Sequence, residues 1–307
     1  MSHASAAWII PLSESPLILL PMDNSENTRD TYISRIGMVN YINTAPIYEI
    51  WKRTVRNKHW RMIEAPPAPL CRMLAAGELD IGVVSSYEYG MRPERYRILE
   101  DLSISANGPV GSVFLFSHVP MTELGGAPVL LSNQSETSAA LVKVILEEFV
   151  RAKPVYSFGE VRGEGKKAKA VLAIGDDALR LVSEKSYAFQ YDLGEIWKQE
   201  TGLPFVFAVF AVREEYCRDQ AGELAEIHRE FLRCRAQGKE EMLTICEQVA
   251  ARIPMPCENC YAYLRAIEHD LGPEKHRALE KFFGYLIARG EASPRALPLK
   301  IHPLISA

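Results

Sequence analysis

Six cysteines in 307 residues are too few for a disulfide scaffold, and most of them sit inside apolar helical patterns, as reduced thiols in a cytosol do. Blocks of like charge are missing as well. The 35 Lys and Arg set against 39 Asp and Glu leave a formal net charge of −4, with no cluster of either sign. Affinity for phosphate backbones comes mainly from clustered Lys and Arg, so no nucleic-acid partner is expected. Long apolar runs are absent too. Residues 8–22 are apolar but broken by Ser13, Glu14, Ser15 and three prolines, and no basic residue precedes a cleavable core. They read neither as a signal peptide nor as a membrane span, which implies a cytoplasmic protein with no membrane partner. With the polar stretch that follows, residues 1–31 are expected to be a poorly ordered extension. Internal repeats and low-complexity segments are lacking, which excludes solenoid and fibrous architectures.

What is present is a balanced composition, 48% apolar and 24% charged, in a chain long enough for two domains. From Arg35 onward, short apolar runs alternate with amphipathic ones, the signature of an α/β protein with largely parallel sheets. Strands are expected at residues 35–41, 60–64, 79–84, 98–104, 113–116, 129–131, 155–158, 170–174 and 205–212. Helices are expected at 46–51, 69–76 and 135–149; in the second, Leu70, Met73 and Leu74 share a face before Gly77 stops it. The run FVFAVFAV (205–212) is apolar throughout, as strands covered on both faces are. Beyond it the chain turns helical, with apolar stripes at Leu224/Ile227/Phe231, Met242/Ile245/Cys246/Val249/Ile253 and Leu279/Phe282/Phe283/Leu286. The pattern predicts two α/β lobes and a helical C-terminal region. One lobe comprises residues 32–116 with 207–307 and the other 117–206, with crossings near 116–118 and 204–207. The cleft between them is the expected ligand site.

Several motifs fail on context. Gly163-Glu-Gly165-Lys-Lys-Ala168 has the letters of a dinucleotide fingerprint but leads into a strand rather than opening a helix. Cys257 and Cys260 at a helix start read as two structural thiols; a redox pair, or a zinc site completed by Cys246 and His269, is the alternative. Seven scattered histidines form no paired-ligand arrangement, so no metal and no cofactor is expected. A G-x-S-x-G elbow is absent.

Polar residues instead gather at strand ends: Tyr41 and Asn43 after the first strand, Ser85 and Ser86 after the third, Ser112 in GPVGS, and Ser135, Thr137 and Ser138 in NQSETS. Ser86 and Ser135 read first as helix N-caps. Two helix N-termini with hydroxyls, aimed at one cleft, would also hold a small organic anion without an arginine. Asp176, in Gly-Asp-Asp, reads as a cap or as a contact to a ligand hydroxyl.

The segments RIGMVNYINTAPI (35–47), LAAGELDIGVVSSYEY (74–89), LEDLSISANGPVGSVFLFS (99–117), SNQSETSAALVKVIL (132–146), LAIGDDAL (172–179) and YDLGEIWKQETGLPFVFAVF (191–210) together resemble the chorismate dehydratases of the futalosine route to menaquinone. The resemblance runs from about Arg35 to the C-terminus. It implies a two-lobed, periplasmic-binding-protein-like (type II) fold and a lyase that converts chorismate to 3-[(1-carboxyvinyl)oxy]benzoate and water. The related dihydroxynaphthoate synthases open with a Ser-Pro-Cys-Pro-Asn-Asp-like segment where this chain has Asn40-Tyr41-Ile42-Asn43. In line with the family, Asn43 is expected to position the ring and polarise the leaving hydroxyl while a substrate carboxylate takes the proton. Ser86, Thr137 and Ser138 would bind the two carboxylates, with Tyr41 and Ser112 shaping the pocket. A solute-binding or sensor protein on the same scaffold is the competing reading.

Overall fold

Short β-branched runs separated by helices with one apolar face build two sheets. The computed structural model describes residues 32–165, 168–252 and 255–304; the expected extension over 1–31, Ile253 of one apolar stripe, and Lys166 and Lys167 of the glycine motif lie outside the described residues. The chain runs through β1 (Ser34–Met38), a 3-10 turn (Ile42–Thr44), α1 (Ala45–Thr54), β2 (Trp60–Glu64), α2 (Pro67–Ala76), β3 (Ile81–Ser85), α3 (Ser86–Met91) and β4 (Tyr96–Ala106). It continues through β5 (Val113–Ser117), β6 (Pro128–Ser132), α4 (Glu136–Val144) with a π-turn over Ile145–Phe149, β7 (Val155–Gly159), α5 (Val161–Glu164), β8 (Ala170–Ile174), α6 (Gly175–Glu184), β9 (Phe189–Asp192) and α7 (Leu193–Thr201). The last part is β10 (Phe205–Arg213), α8 (Glu214–Asp219), α9 (Ala221–Glu240), α10 (Met242–Val249), α11 (Cys257–Ala266), β11 (Ile267–Glu268), α12 (Pro273–Ala288) and β12 (Ile301–His302).

The first sheet has the order β11-β4-β10-β3-β1-β2, with β12 on β4; the second is β7-β6-β8-β5-β9. Both are mixed rather than largely parallel. β1 pairs parallel with β2 and β3, but β10 runs antiparallel between β3 and β4, and β5 runs antiparallel between β8 and β9. β5 belongs wholly to the second sheet, so the first passage between sheets lies at residues 107–112, before the predicted 116–118; the return falls at 202–204. A five-residue apolar strand carries no local mark of the sheet it will join, because pairing is decided by distant partners.

The C-terminal helices cover the first sheet and tie it to the second. Phe231 of α9 packs 4.6 Å from Trp51 of α1, and Phe282 of α12 meets both Phe205 of β10 at 4.9 Å and Trp197 of α7 at 6.0 Å between ring centroids. All of these side chains are buried, each contributing about 1.5–3 kcal/mol of hydrophobic stabilisation.

The passage at 107–112 is held by one carboxylate. Asp192 caps α7 by accepting from Gly194 N at 2.9 Å and Glu195 N at 3.1 Å, and also accepts from Val110 N at 3.0 Å and Gly111 N at 2.7 Å. The loop lies so close to α7 that a Cβ at Gly194 would stand 2.6 Å from the Gly108 carbonyl oxygen. Replacing Asp192 by Ala would leave several N–H groups without their acceptor. It is expected to cost about 3 kcal/mol in denaturant unfolding, given the penalty for orphaned donors and a lost cap; a loss below about 1 kcal/mol would mean that water replaces the carboxylate freely.

Candidate active site

The sheet-end loops converge on a cleft of about 660 Å³, counting the part open to solvent. Its apolar wall comes from β3 (Val83, Val84), β4 (Ile104), the 107–112 passage (Val110) and the end of β8 (Ile174). β10 contributes Phe207 and Ala208, the half-buried pair in an otherwise mostly buried strand. The polar positions are Tyr41, Asn43, Thr44, Ser85, Ser112, Ser135 and Ser138. No Lys, Arg, His, Asp or Glu is among the lining residues. Tyr41 is the ionisable one, and burial, reinforced by Asp176 and Asp177, raises its pKa, which keeps it a neutral phenol.

Six of the predicted residues thus meet in one place: Tyr41, Asn43, Ser85, Ser112, Ser135 and Ser138. Tyr41 donates to Gln134 Oε1 at 3.3 Å, and Gln134 Nε2 donates to Asp177 Oδ2 at 3.4 Å, a chain from the β1 loop to α4 and α6. Ser112 accepts from the Tyr263 hydroxyl at 2.9 Å, and its carbonyl accepts from Gly175 N at 2.7 Å. Ser135 caps α4 as expected, accepting from Ser138 N at 3.2 Å and donating to Ser138 Oγ at 3.0 Å. The N-terminal end of α4 and these two hydroxyls therefore face the cleft together.

Three predicted residues do not reach the wall. The cap of α3 is Ser85, not Ser86: Ser85 has extended backbone angles and accepts from Glu88 N at 3.2 Å. Ser86 is the first helical residue; its hydroxyl donates to the Val206 carbonyl at 2.8 Å and lies 3.4 Å from Thr137 Oγ1. Thr137 in turn accepts from Tyr87 N at 3.0 Å. Both are fully buried and join α3 to α4 and β10 behind the cleft. Asp176 sits in the first turn of α6 without capping it, one residue past the lining Gly175, and burial raises its pKa.

Asn43 occupies the 3-10 turn between β1 and α1. Thr44 holds that turn, donating from Oγ1 to the carbonyls of Val39 at 2.6 Å and Tyr41 at 2.8 Å. The Asn43 carbonyl lies 2.8 Å from His269 Nε2, while its side-chain Oδ1 is buried with no hydrogen-bond partner. Buried polar atoms are nearly always paired, so this acceptor, on a residue lining the cleft, is suited to a ligand donor. Sequence reasoning missed Thr44, Gln134 and Tyr263, and it considered His269 only as a zinc ligand, not as a partner of Asn43. Thr44 and Gln134 stand inside quoted motifs, but Tyr263 and His269 lie in the helical C-terminal region, where no local pattern marks them.

Cys257 and Cys260 begin α11 as free thiols. Cys260 is buried, and burial pushes its pKa up and that of the neighbouring Cys246 to about 12, opposite to the lowering that makes a thiol reactive. Among the described residues no group of three or more His, Cys, Asp or Glu could hold a metal ion. Gly163 lies inside the four-residue α5 rather than in a strand-to-helix turn. No helix among the described residues is long and apolar enough to cross a membrane.

A family model described as menaquinone biosynthesis matches residues 34–288. The chain is 34% identical over 234 residues to a protein of Thermus thermophilus named chorismate dehydratase, covering 71% of this chain and 82% of that one. It is 26% identical over 241 residues to the 1,4-dihydroxy-6-naphtoate synthase of the same organism, covering 75% and 84%. Among solved structures, the alkanesulfonate-binding protein of Xanthomonas axonopodis pv. citri, bound to MOPS, superposes with a TM-score of 0.65 at 14% identity, over 88% of this chain and 98% of that one. The two-sheet architecture is accordingly the periplasmic-binding-protein fold, with a helical C-terminal region. With the family match spanning both sheets and the polar cleft between them, the chain belongs to the menaquinone-biosynthesis family.

Proposed function

We propose that this chain is a chorismate dehydratase, a cytoplasmic lyase that eliminates water from chorismate to give 3-[(1-carboxyvinyl)oxy]benzoate. The observation that carries the reading is Asn43, with an unpartnered buried Oδ1, on a cleft whose lining holds no carboxylate, imidazole or amine. In the reaction the C4 hydroxyl departs, the C3 proton is lost, and the ring becomes aromatic. Atoms balance with water as the second product, so neither oxidant nor reductant is needed. Aromatisation supplies the driving force, and the protein has to orient the substrate and assist two bond cleavages.

A cleft without its own base suits an elimination in which a carboxylate of the substrate removes the C3 proton. The C4–O bond breaks as the ring becomes aromatic, and the departing hydroxyl takes up that proton to leave as water. The Asn43 carboxamide orients the ring and hydrogen-bonds the departing hydroxyl. Ser135, Ser138 and the N-terminal end of α4 are placed to receive one carboxylate. Ser85, Ser112 and Tyr41 shape the remainder, and Asp176, one residue past Gly175, is not among the groups that line it. Ser86 and Thr137 act by holding the α3 and α4 starts together. The 34% identity to a dehydratase, against 26% to the naphthoate synthase, favours this activity within the family.

The test is incubation of the purified protein with chorismate, followed by product analysis. Formation of the aromatic enol ether with loss of one water is the expected result. Chorismate bound and recovered unchanged would favour a binding protein instead.

A further inference from the structure

The turn that carries Asn43 is clamped from two sides, and the second clamp comes from a residue 226 positions away. On the near side, Thr44 Oγ1 bonds the Val39 and Tyr41 carbonyls and Thr44 N bonds the Tyr41 carbonyl at 3.1 Å. On the far side stands His269, just past β11, with its Nε2 2.8 Å from the Asn43 carbonyl oxygen. A carbonyl only accepts, so Nε2 must carry the proton. The ring is buried, and this desolvation, helped by the charges of Arg235 and Lys275, lowers its pKa to about 4 against the opposing effect of the Asn43 bond. The imidazole is therefore neutral at physiological pH, with a single tautomer selected by its partner.

The backbone that carries this ring is itself immobilised. Ser103 N donates to the His269 carbonyl at 3.1 Å. Ser105 Oγ donates to the Glu268 carbonyl at 3.1 Å, and Ser103 Oγ donates to the Asp270 carbonyl. Both serines lie on β4 and are fully buried. Three consecutive carbonyls are thus fixed to a strand inside the first sheet, and the imidazole transmits that fixed position to the Asn43 peptide. Orienting that peptide plane sets the Cα–Cβ direction of Asn43, hence where its unpartnered carboxamide points.

We infer that His269 is a positioning residue for the elimination, holding the Asn43 carboxamide in its reactive direction through an Nε2–H bond to the Asn43 carbonyl. The inference rests on the dehydratase reading for its kinetic consequence, though the hydrogen bond itself does not. Glutamine can place its amide N–H near the position of Nε2, and alanine cannot, so the pair of variants separates the bond from the mere filling of space.

Steady-state kinetics with chorismate is expected to show kcat at least tenfold lower in His269→Ala with KM changed less than threefold, and kcat within threefold of wild type in His269→Gln. Alanine retaining kcat within twofold of wild type, both variants impaired alike, or a rise in KM alone would overturn the inference. A readout without turnover is the Asn43 side-chain amide resonance in 15N NMR, expected to shift in His269→Ala and to return in His269→Gln. An unmoved resonance in both variants would overturn the positioning role whatever the assay gives. A wild-type protein that leaves chorismate intact would count against the proposed activity, and the NMR comparison would still decide the role of His269.

Discussion

Asn43→Ala is expected to lower kcat for chorismate about 100-fold or more, the usual cost of removing one group that acts on developing charge in a transition state. Binding should remain measurable by calorimetry, because the hydroxyls of Ser135 and Ser138 and the apolar wall are untouched. The fold should be unperturbed. Oδ1 has no partner to lose within the protein, and the turn is held by its own carbonyl and by Thr44 rather than by the Asn43 side chain. Turnover within threefold of wild type would remove Asn43 from the mechanism. A loss confined to KM would reassign it from the chemical step to ground-state binding.

The largest expected effect on stability is at Gly238 in α9. A Cβ there would lie 1.7 Å from the Pro46 carbonyl oxygen and 2.5 Å from its carbonyl carbon. Both obstructing atoms are backbone, so no rotamer change relieves the clash. Alanine in a helix interior is worth about 1 kcal/mol over glycine, but this gain is outweighed. Gly238→Ala is expected to destabilise the protein by about 3 kcal/mol or more, at the upper end of overpacking penalties. Denaturant unfolding measures it, and a change smaller than about 1 kcal/mol would show that α9 and α1 separate easily. Pro46 follows Asn43 by three residues at the start of α1, so any folded Gly238→Ala protein should also lose turnover. That loss would show that the close approach of α9 to α1 helps place the Asn43 turn.

How much of the site is legible locally depends on what each residue's position encodes. Tyr41, Asn43, Ser85 and Ser112 were readable because strands end where apolar alternation stops, and in this fold the strand ends face the cleft. Ser135 was readable as a cap, since an extended residue before a helix presents its hydroxyl to the free N–H groups. Ser86 was misplaced by one residue because the boundary between β3 and α3 depends on backbone angles at Ser85, and adjacent serines look alike in sequence. Thr137 was grouped with Ser135 and Ser138 by proximity. Helical residues advance about 100° each, so positions 135 and 138 share a direction that 137 does not, and its hydroxyl meets α3 instead.

By itself the sequence determined nine of the strands in their order but not β9, β11 or β12, and it determined the apolar faces of α9 and α12, the family, and the kind of groups offered to a ligand, because each follows from local periodicity or from contiguous motifs. The mixed sheets, the membership of β5, the meeting of Ser112 with Tyr263 and the clamp of His269 on the Asn43 turn were decided by tertiary structure alone. The physical reason is separation along the chain. These contacts join residues 151 and 226 positions apart, and no local propensity specifies which distant strand or ring will arrive to complete them.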